Sequence, residues 1–558
     1  MGIYIHRYDS EETQFNPAYW GDAYLEPWVS YTEDVERTDY NKSPRDLFAE
    51  KYLTIGNIGN GASGGYVRFM HGNGTQPRTI EYRINGGEWA GITSTTAGTE
   101  INVAQGDTIE FRGDNATYSD GNDAYCTILV ELDNYRVYGN VMSLVSKDGF
   151  KTMKTLTGSH NFNGLFSGCS GNFDARNLIL PATALTESCY RNMFYGCTGL
   201  TNGPELPAAT LAKECYYSMF YDCTGLLECP DLPATNLAEG CYYYMFRRCS
   251  SITRIPELPA TTLEKDCYRY MFNRCFSLNK LALNLPATEI PYDAYRGMFA
   301  YCSGITEVSG TIPATSIGSG GCLSMFIGCS SMTHTIDSVG VEGCVIGDEG
   351  CETMFHYCTN LAEAPLLPAM EVGVSGYCSM FSHCEALTNG PELPATGIST
   401  ASYYSMFYSC SSITAVTSEL PAQVLADSCY RSLFNGCTSL AKGPDLRPET
   451  LSKECYMWMF NNSIDSSSGL SGGVKELTCR ATGISVDDNS IAGILQNTSA
   501  GTLYINPMSS QTDFNALAEA WWRSQHASQE DPSRMVWDVP RSWSIYNPYT
   551  DTTFKPNI

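Results

Sequence analysis

The residues able to do chemistry are 24 cysteines, 60 acids and 7 histidines in a chain of 558 residues. Zinc needs a converging set of thiolates and imidazoles, yet there is no C-x-x-C pair, and His6, His71, His160, His334, His356, His383 and His526 are scattered. His356 and His383 fall at different positions of a sequence repeat, which predicts two solvated side chains rather than a pair. Gly61-Ala62-Ser63-Gly64-Gly65 spells G-x-S-x-G, but a nucleophile elbow needs a strand before it and a helix after, and here a glycine-rich loop leads into a strand. Asp120-Gly121-Asn122-Asp123 is too short for a calcium loop, and no H-E-x-x-H, P-loop or G-x-G-x-x-G helix start occurs. The expectation is a non-enzymatic chain with no cofactor and no metal.

Charge and hydropathy narrow the partners. A formal charge of −26 repels nucleic acid and anionic lipid. No run of ~18 apolar residues is present, so no membrane insertion is expected, and Met1 to Arg7 lacks the basic-then-apolar layout of a secretory signal.

The cysteines follow the repeat. A dipeptide of Met or Leu followed by Phe starts at 165, 193, 219, 245, 271, 298, 325, 354, 380, 406, 433 and 459, which is twelve units spaced by 26 to 29 residues. The unit is clearest from Leu206 to Leu232. Leu211, Cys215, Met219 and Cys223 recur every four residues, and Tyr216, Met219, Phe220 and Cys223 fall at i, i+3, i+4, i+7, the face of an α-helix. Pro230 and Pro233 then restrict the next stretch to a short extended segment. No unit can bury its apolar face alone, so neighbours must stack as a solenoid. Strands stack at about 4.8 Å and helices at roughly 8–10 Å, which predicts curvature with the strands inside. Cys241 and Cys249, eight residues apart on a helix, would lie about 12 Å apart along the axis. That exceeds the ~7 Å reach of a disulfide. A ladder of reduced thiols acting as small core residues is expected.

The pattern L-P-A-T…C-Y-x-x-M-F-x-x-C-x-x-L, over residues 162–477, resembles the BspA-like group of leucine-rich repeats, found in surface proteins of gut and oral bacteria and in proteins of their phages. The resemblance implies adhesion or recognition, not a defined reaction. Tyr24 to Lys42 also resembles the leaders of phage-encoded members. Together the two resemblances imply a phage tail or head appendage in the virion. It would dock to other virion proteins through residues 1–48 and bind a host surface glycan or outer-membrane protein, and it could form a homo-oligomer. A bacterial cell-surface adhesin and a purely structural virion protein are the alternatives.

The fold class expected is therefore α+β: a β-sandwich, a curved leucine-rich-repeat solenoid and a C-terminal cap. Residues 1–48 form a docking segment whose large rings, among them Tyr19, Trp20, Tyr24 and Trp28, suit burial against another protein. Residues 49–145 alternate at period two and carry the hairpin signal Asn85-Gly86, giving the sandwich. The solenoid spans 146–480. Residues 481–558 make the cap, with a helix expected from Phe514 to Trp522.

Two rows of side chains are candidate ligand contacts. Glu205, Asp231 and Glu257, and further on Glu392, Glu419 and Asp445, share one position of the unit, so stacking would set like charges in rows about 5 Å apart. Such rows are destabilising unless a cation or basic partner meets them. Tyr190, Tyr216, Tyr242 and their equivalents point toward the core, whereas Tyr217, Tyr243 and Tyr404 point outward, where they could stack on sugar rings.

Overall fold

The computed structural model describes residues 44–59, 64–461, 473–481, 489–495, 498, 502–505, 515–518 and 543–554. The aromatic leader with Tyr19, Trp20, Tyr24 and Trp28 lies outside them, as does Ser63.

After a short helix, α1 (Pro44–Ala49), come strands β1 (Leu53–Asn57), β2 (Gly65–His71), β3 (Thr79–Ile84), β4 (Ala90–Thr93), β5 (Thr99–Val103), β6 (Thr108–Arg112) and β7 (Cys126–Asn140). Asn85 and Gly86 both take positive φ, 49° and 69°, and turn the chain from β3 toward its antiparallel partner β4. The strand order is β4-β3-β6-β1-β7-β2-β5. The first half of β7 pairs with β2 and its second half with β1, so this 15-residue strand joins two groups of strands. Alternate residues of these strands, including Ile55, Val67, Phe69, Ile109, Phe111 and Val130, are buried between them.

The other edge of β7 carries the first repeat. Strand β8 (Ser170–Ile179) runs parallel to it and β9 (Leu200–Asn202) runs parallel to β8, extending the sheet to nine strands. The amide of Ile128 donates to the Leu165 carbonyl at 2.8 Å, and the ring of Tyr118 stacks on Phe162. The end of the array thus receives backbone partners and an aromatic lid.

The repeats correct the helical expectation. Between 162 and 461 the segment around each Met-Phe pair is a ribbon of successive turns, with no α-helix. In the unit around Met219, alternate amides close turns three residues back: Cys215 to Ala212, Tyr217 to Glu214, Met219 to Tyr216 and Cys223 to Phe220, at 3.1–3.2 Å. The intervening amides of Glu214, Tyr216, Ser218, Phe220 and Asp222 donate to carbonyls of the next repeat at 2.8–3.1 Å. Every fourth residue has positive φ, here Glu214, Ser218 and Asp222 at 53°, 52° and 61°. A positive φ at the third residue marks a type II turn, and it gives the ribbon a period of four rather than 3.6.

This ribbon also removes the reason for strong curvature. The turn side repeats at 5.4–5.6 Å between stacked rings such as Phe220 and Phe246 or Phe299 and Phe326, not at the spacing of packed helices. That is close to the strand spacing of about 4.8 Å on the other side. Short parallel strands such as Glu289–Ile290, Ser316–Ile317, Val345–Ile346, Glu371–Val372 and Gly397–Ile398 stack in register. Mostly extended segments and turns therefore replace the α+β architecture that the spacing suggested.

Within the stack, Tyr190, Tyr216, Tyr242, Tyr268 and Tyr295 are buried and lie ring on ring at 5.7–6.0 Å. All 24 cysteines are free thiols. They do more than fill space: from Cys197 to Cys437 the second cysteine of a unit donates its S–H to the phenylalanine carbonyl of the preceding unit, as in Cys223 to Phe194 at 3.1 Å and Cys249 to Phe220 at 3.0 Å. At the far end Glu476–Cys479, Thr502–Ile505 and Ser544–Asn547 continue in parallel, and Thr552–Phe554 closes the sheet antiparallel. Trp543 is buried there, its indole N–H donating to Thr498 Oγ1 at 3.0 Å. Residues 515–518 are helical; Trp521 and Trp522 lie outside the described residues.

Candidate recognition surface

The acidic row is not a continuous array of unmatched charge. Glu419 and Asp445 do sit side by side in parallel strands. Arg447 pairs with both, and Arg480 reaches Asp445 at 2.8 Å, so cations from the same chain answer the like-charge repulsion. Glu205 pairs with Arg45 of α1. Glu392 accepts a hydrogen bond from the Thr417 hydroxyl at 2.9 Å. Asp231 and Glu257 are exposed.

The tyrosine row has a different fate. Tyr217, Tyr243 and Tyr404 are half-buried on the outside of the turn ribbon. Tyr217 and Tyr243 stack at 4.9 Å, Arg191 lies 3.7 Å over the Tyr217 ring, and Arg431 lies over Tyr404. The stack extends beyond these three rings. Tyr195 stacks on Tyr221 at 4.8 Å and Tyr244 on Tyr270 at 5.5 Å. Arg247 lies over both Tyr221 and Tyr244. A signal for this was present: residues 195, 221 and 247 are each 26 apart, the length of one unit, so the stacking of units sets them in one line.

Beneath this surface, Asp293 is a carboxylate with a side chain only 1% exposed, held by Arg269 at 2.7 Å and Arg296 at 3.2 Å. Further along, His356 and His383 come together, with ring centroids 5.7 Å apart and Tyr357 stacked on His383 at 4.5 Å. This overturns the expectation of two separate solvated histidines, because the backbone bonds of Phe355 to Met380 and Tyr357 to Ser382 stack their two units one on the other. Burial, and then the neighbouring His383, push the His356 imidazole down to about 4.

Among the described residues, no three His, Cys, Asp or Glu side chains are grouped as metal ligands. Asp120 pairs with Arg78 at 2.6 Å. A cleft where the N-terminal sheet meets the first repeat is lined by His71, Asp123, Tyr125 and Ser167 among others. Among the described residues no helix is long and apolar enough to cross a membrane.

Comparison with known proteins bears on the repeats. The family model described as BspA type leucine rich repeat region (6 copies) matches residues 162–306 and 242–342, so this part of the chain is similar to BspA-type repeats. A leucine-rich repeat protein from Bacteroides ovatus is similar at 17% identity and a TM-score of 0.33, covering 63% of this chain and 90% of that one. A leucine rich cell surface protein from Faecalibacterium prausnitzii is similar at 13% identity and a TM-score of 0.25, covering 72% of this chain and 97% of that one. No curated protein matches the chain.

Proposed function

We propose that the chain is a non-enzymatic recognition protein that presents its repeat array to a partner on a cell surface. The observation that supports this most is the outer turn face, where tyrosine rings and guanidinium planes stack on a backbone cross-bonded from repeat to repeat. Such a surface is held rigid before binding, which lowers the ordering cost of association, and Tyr and Arg are the side chains that contribute most at interfaces. Within this reading the protein is an appendage of a phage particle that contacts the host, with residues 1–48 as the docking segment. The alternative is a bacterial cell-surface adhesin, which fits the kind of protein in which BspA-type repeats occur.

The test uses fluorescently labelled full-length protein on candidate host cells. Saturable binding that unlabelled protein competes away is expected, and absence of binding overturns the recognition role. Mass spectrometry then separates the two settings: peptides in purified virions support the appendage, and peptides only in a bacterial surface fraction support the adhesin.

A further inference from the structure

We infer that the outer turn face between Arg191 and Tyr301 binds an acidic, linear glycan; this rests on the recognition role proposed above and names its ligand class. Six arginines lie on this stretch of ribbon. Four meet acids: Arg191 with Glu214, Arg248 with Asp222, Arg269 with Asp266, and Arg296 with Asp293. The other two, Arg247 and Arg274, form no ion pair among the described residues and lie instead over tyrosines. Arg247 is 4.7 Å from the Tyr244 ring centre, and Arg274 is 5.4 Å from that of Tyr301. Stacking uses the flat face of a guanidinium and leaves its in-plane N–H groups for an oxyanion. In a chain of net charge −26 this is a local surplus of positive charge.

The aromatic groups specify the rest of the ligand. Tyr195 and Tyr301 are 40% and 45% exposed and border the patch, offering their phenol hydroxyls and the ring surface that Tyr221 and Arg274 leave uncovered to a hydroxyl-rich chain. Planar groups recur along the array at 4.8 Å for Tyr195–Tyr221, 4.9 Å for Tyr217–Tyr243 and 5.5 Å for Tyr244–Tyr270. One pyranose of an extended polysaccharide is similar in length to this step, so a glycan lying along the array advances about one layer of repeats per sugar. A neutral glycan would cover Arg247 and Arg274 without replacing their lost water, which is unfavourable. Uronate or sulfate groups would supply the missing acceptors.

The experiment is calorimetric titration of the full chain with polygalacturonate, hyaluronate and heparin, and with dextran as the neutral probe. At least one acidic polymer binds and dextran does not. The double variant Arg247→Gln/Arg274→Gln loses affinity by about tenfold for each guanidinium removed. Val424→Ser, at a side chain 80% exposed elsewhere on the array, leaves it unchanged. A circular-dichroism melt that matches the parent shows that the double variant is folded. The inference is overturned if none of the three acidic polymers binds, if dextran binds equally, or if the folded double variant binds like the parent. It is also overturned if periodate oxidation of host-cell glycans leaves adhesion intact, which would indicate a protein partner. Adhesion without acidic-glycan binding removes this inference alone, whereas absence of all adhesion removes the recognition role.

Discussion

The thiol of Cys302 donates to the carbonyl oxygen of Phe272 in the preceding repeat, 3.0 Å away. The same carbonyl also accepts the Cys275 amide at 3.2 Å, so the thiol is its second donor. Cys302→Ala therefore leaves no orphaned backbone group, but it loses a weak hydrogen bond and opens a small cavity. A loss of about 1–2 kcal/mol is expected, read as a lower urea midpoint at an unchanged slope.

Burial pushes the thiols up, Cys302 and Cys358 to about 12, so at pH 8 they stay protonated and unreactive. Titration with Ellman's reagent should find few reactive groups in the native chain and all 24 in guanidinium chloride. Rapid native reaction of most thiols would contradict their burial.

The every-fourth-residue backbone makes opposite predictions for two small residues. Gly297 has φ of 58°, and a Cβ there would sit 2.1 Å from the Tyr270 ring, so Gly297→Ala should destabilise clearly. Ala401 holds φ of 55° at another of these left-handed positions, four residues earlier in its unit, and Ala401→Gly relieves a left-handed conformation that costs an alanine about 1 kcal/mol. A gain in thermal midpoint for the second and a drop for the first is the expected pair of results.

Asp293 is the buried hub between Arg269 and Arg296, and it also holds positive φ. Asn tolerates that φ, so Asp293→Asn isolates the charge. Two guanidiniums left facing a neutral amide should cost about 3 kcal/mol. A double-mutant cycle with Arg296→Gln should show strong coupling, and additive losses would contradict the contact.

Acid should weaken the fold through His356. Its folded value is about 4 against an ordinary 6.5, so between these pH values the unfolded chain binds the proton and the folded chain does not. Stability contributed by the neutral imidazole is complete above 6.5 and is lost as pH falls toward 4. His356→Gln should flatten that part of a melting-temperature profile; an unchanged profile would assign the acid sensitivity elsewhere.

Much of the repeat was legible because its apolar positions recur at similar spacing: the Met or Leu and the Phe of every pair are buried, as are the Tyr residues that precede them in most units. The secondary structure was not. Leu211, Cys215, Met219 and Cys223 recur at four residues, and that spacing belongs to the turn ribbon, but Tyr216, Met219, Phe220 and Cys223 also satisfy a helical face. Local pattern cannot separate the two, because what decides is the hydrogen bonding of Tyr216 and Ser218 to the next unit, a contact 25 residues away. The same missing fact hid the meeting of His356 with His383 and the arginines that lie over the tyrosines.

Because alternate amides of one ribbon are completed by the next, register is handed on unit by unit and nothing in the interior records how many have gone before. Whole modules can therefore be duplicated or deleted by recombination without remodelling either terminus. Reach is then a dimension that selection can lengthen or shorten in single steps, independently of what the surface recognises.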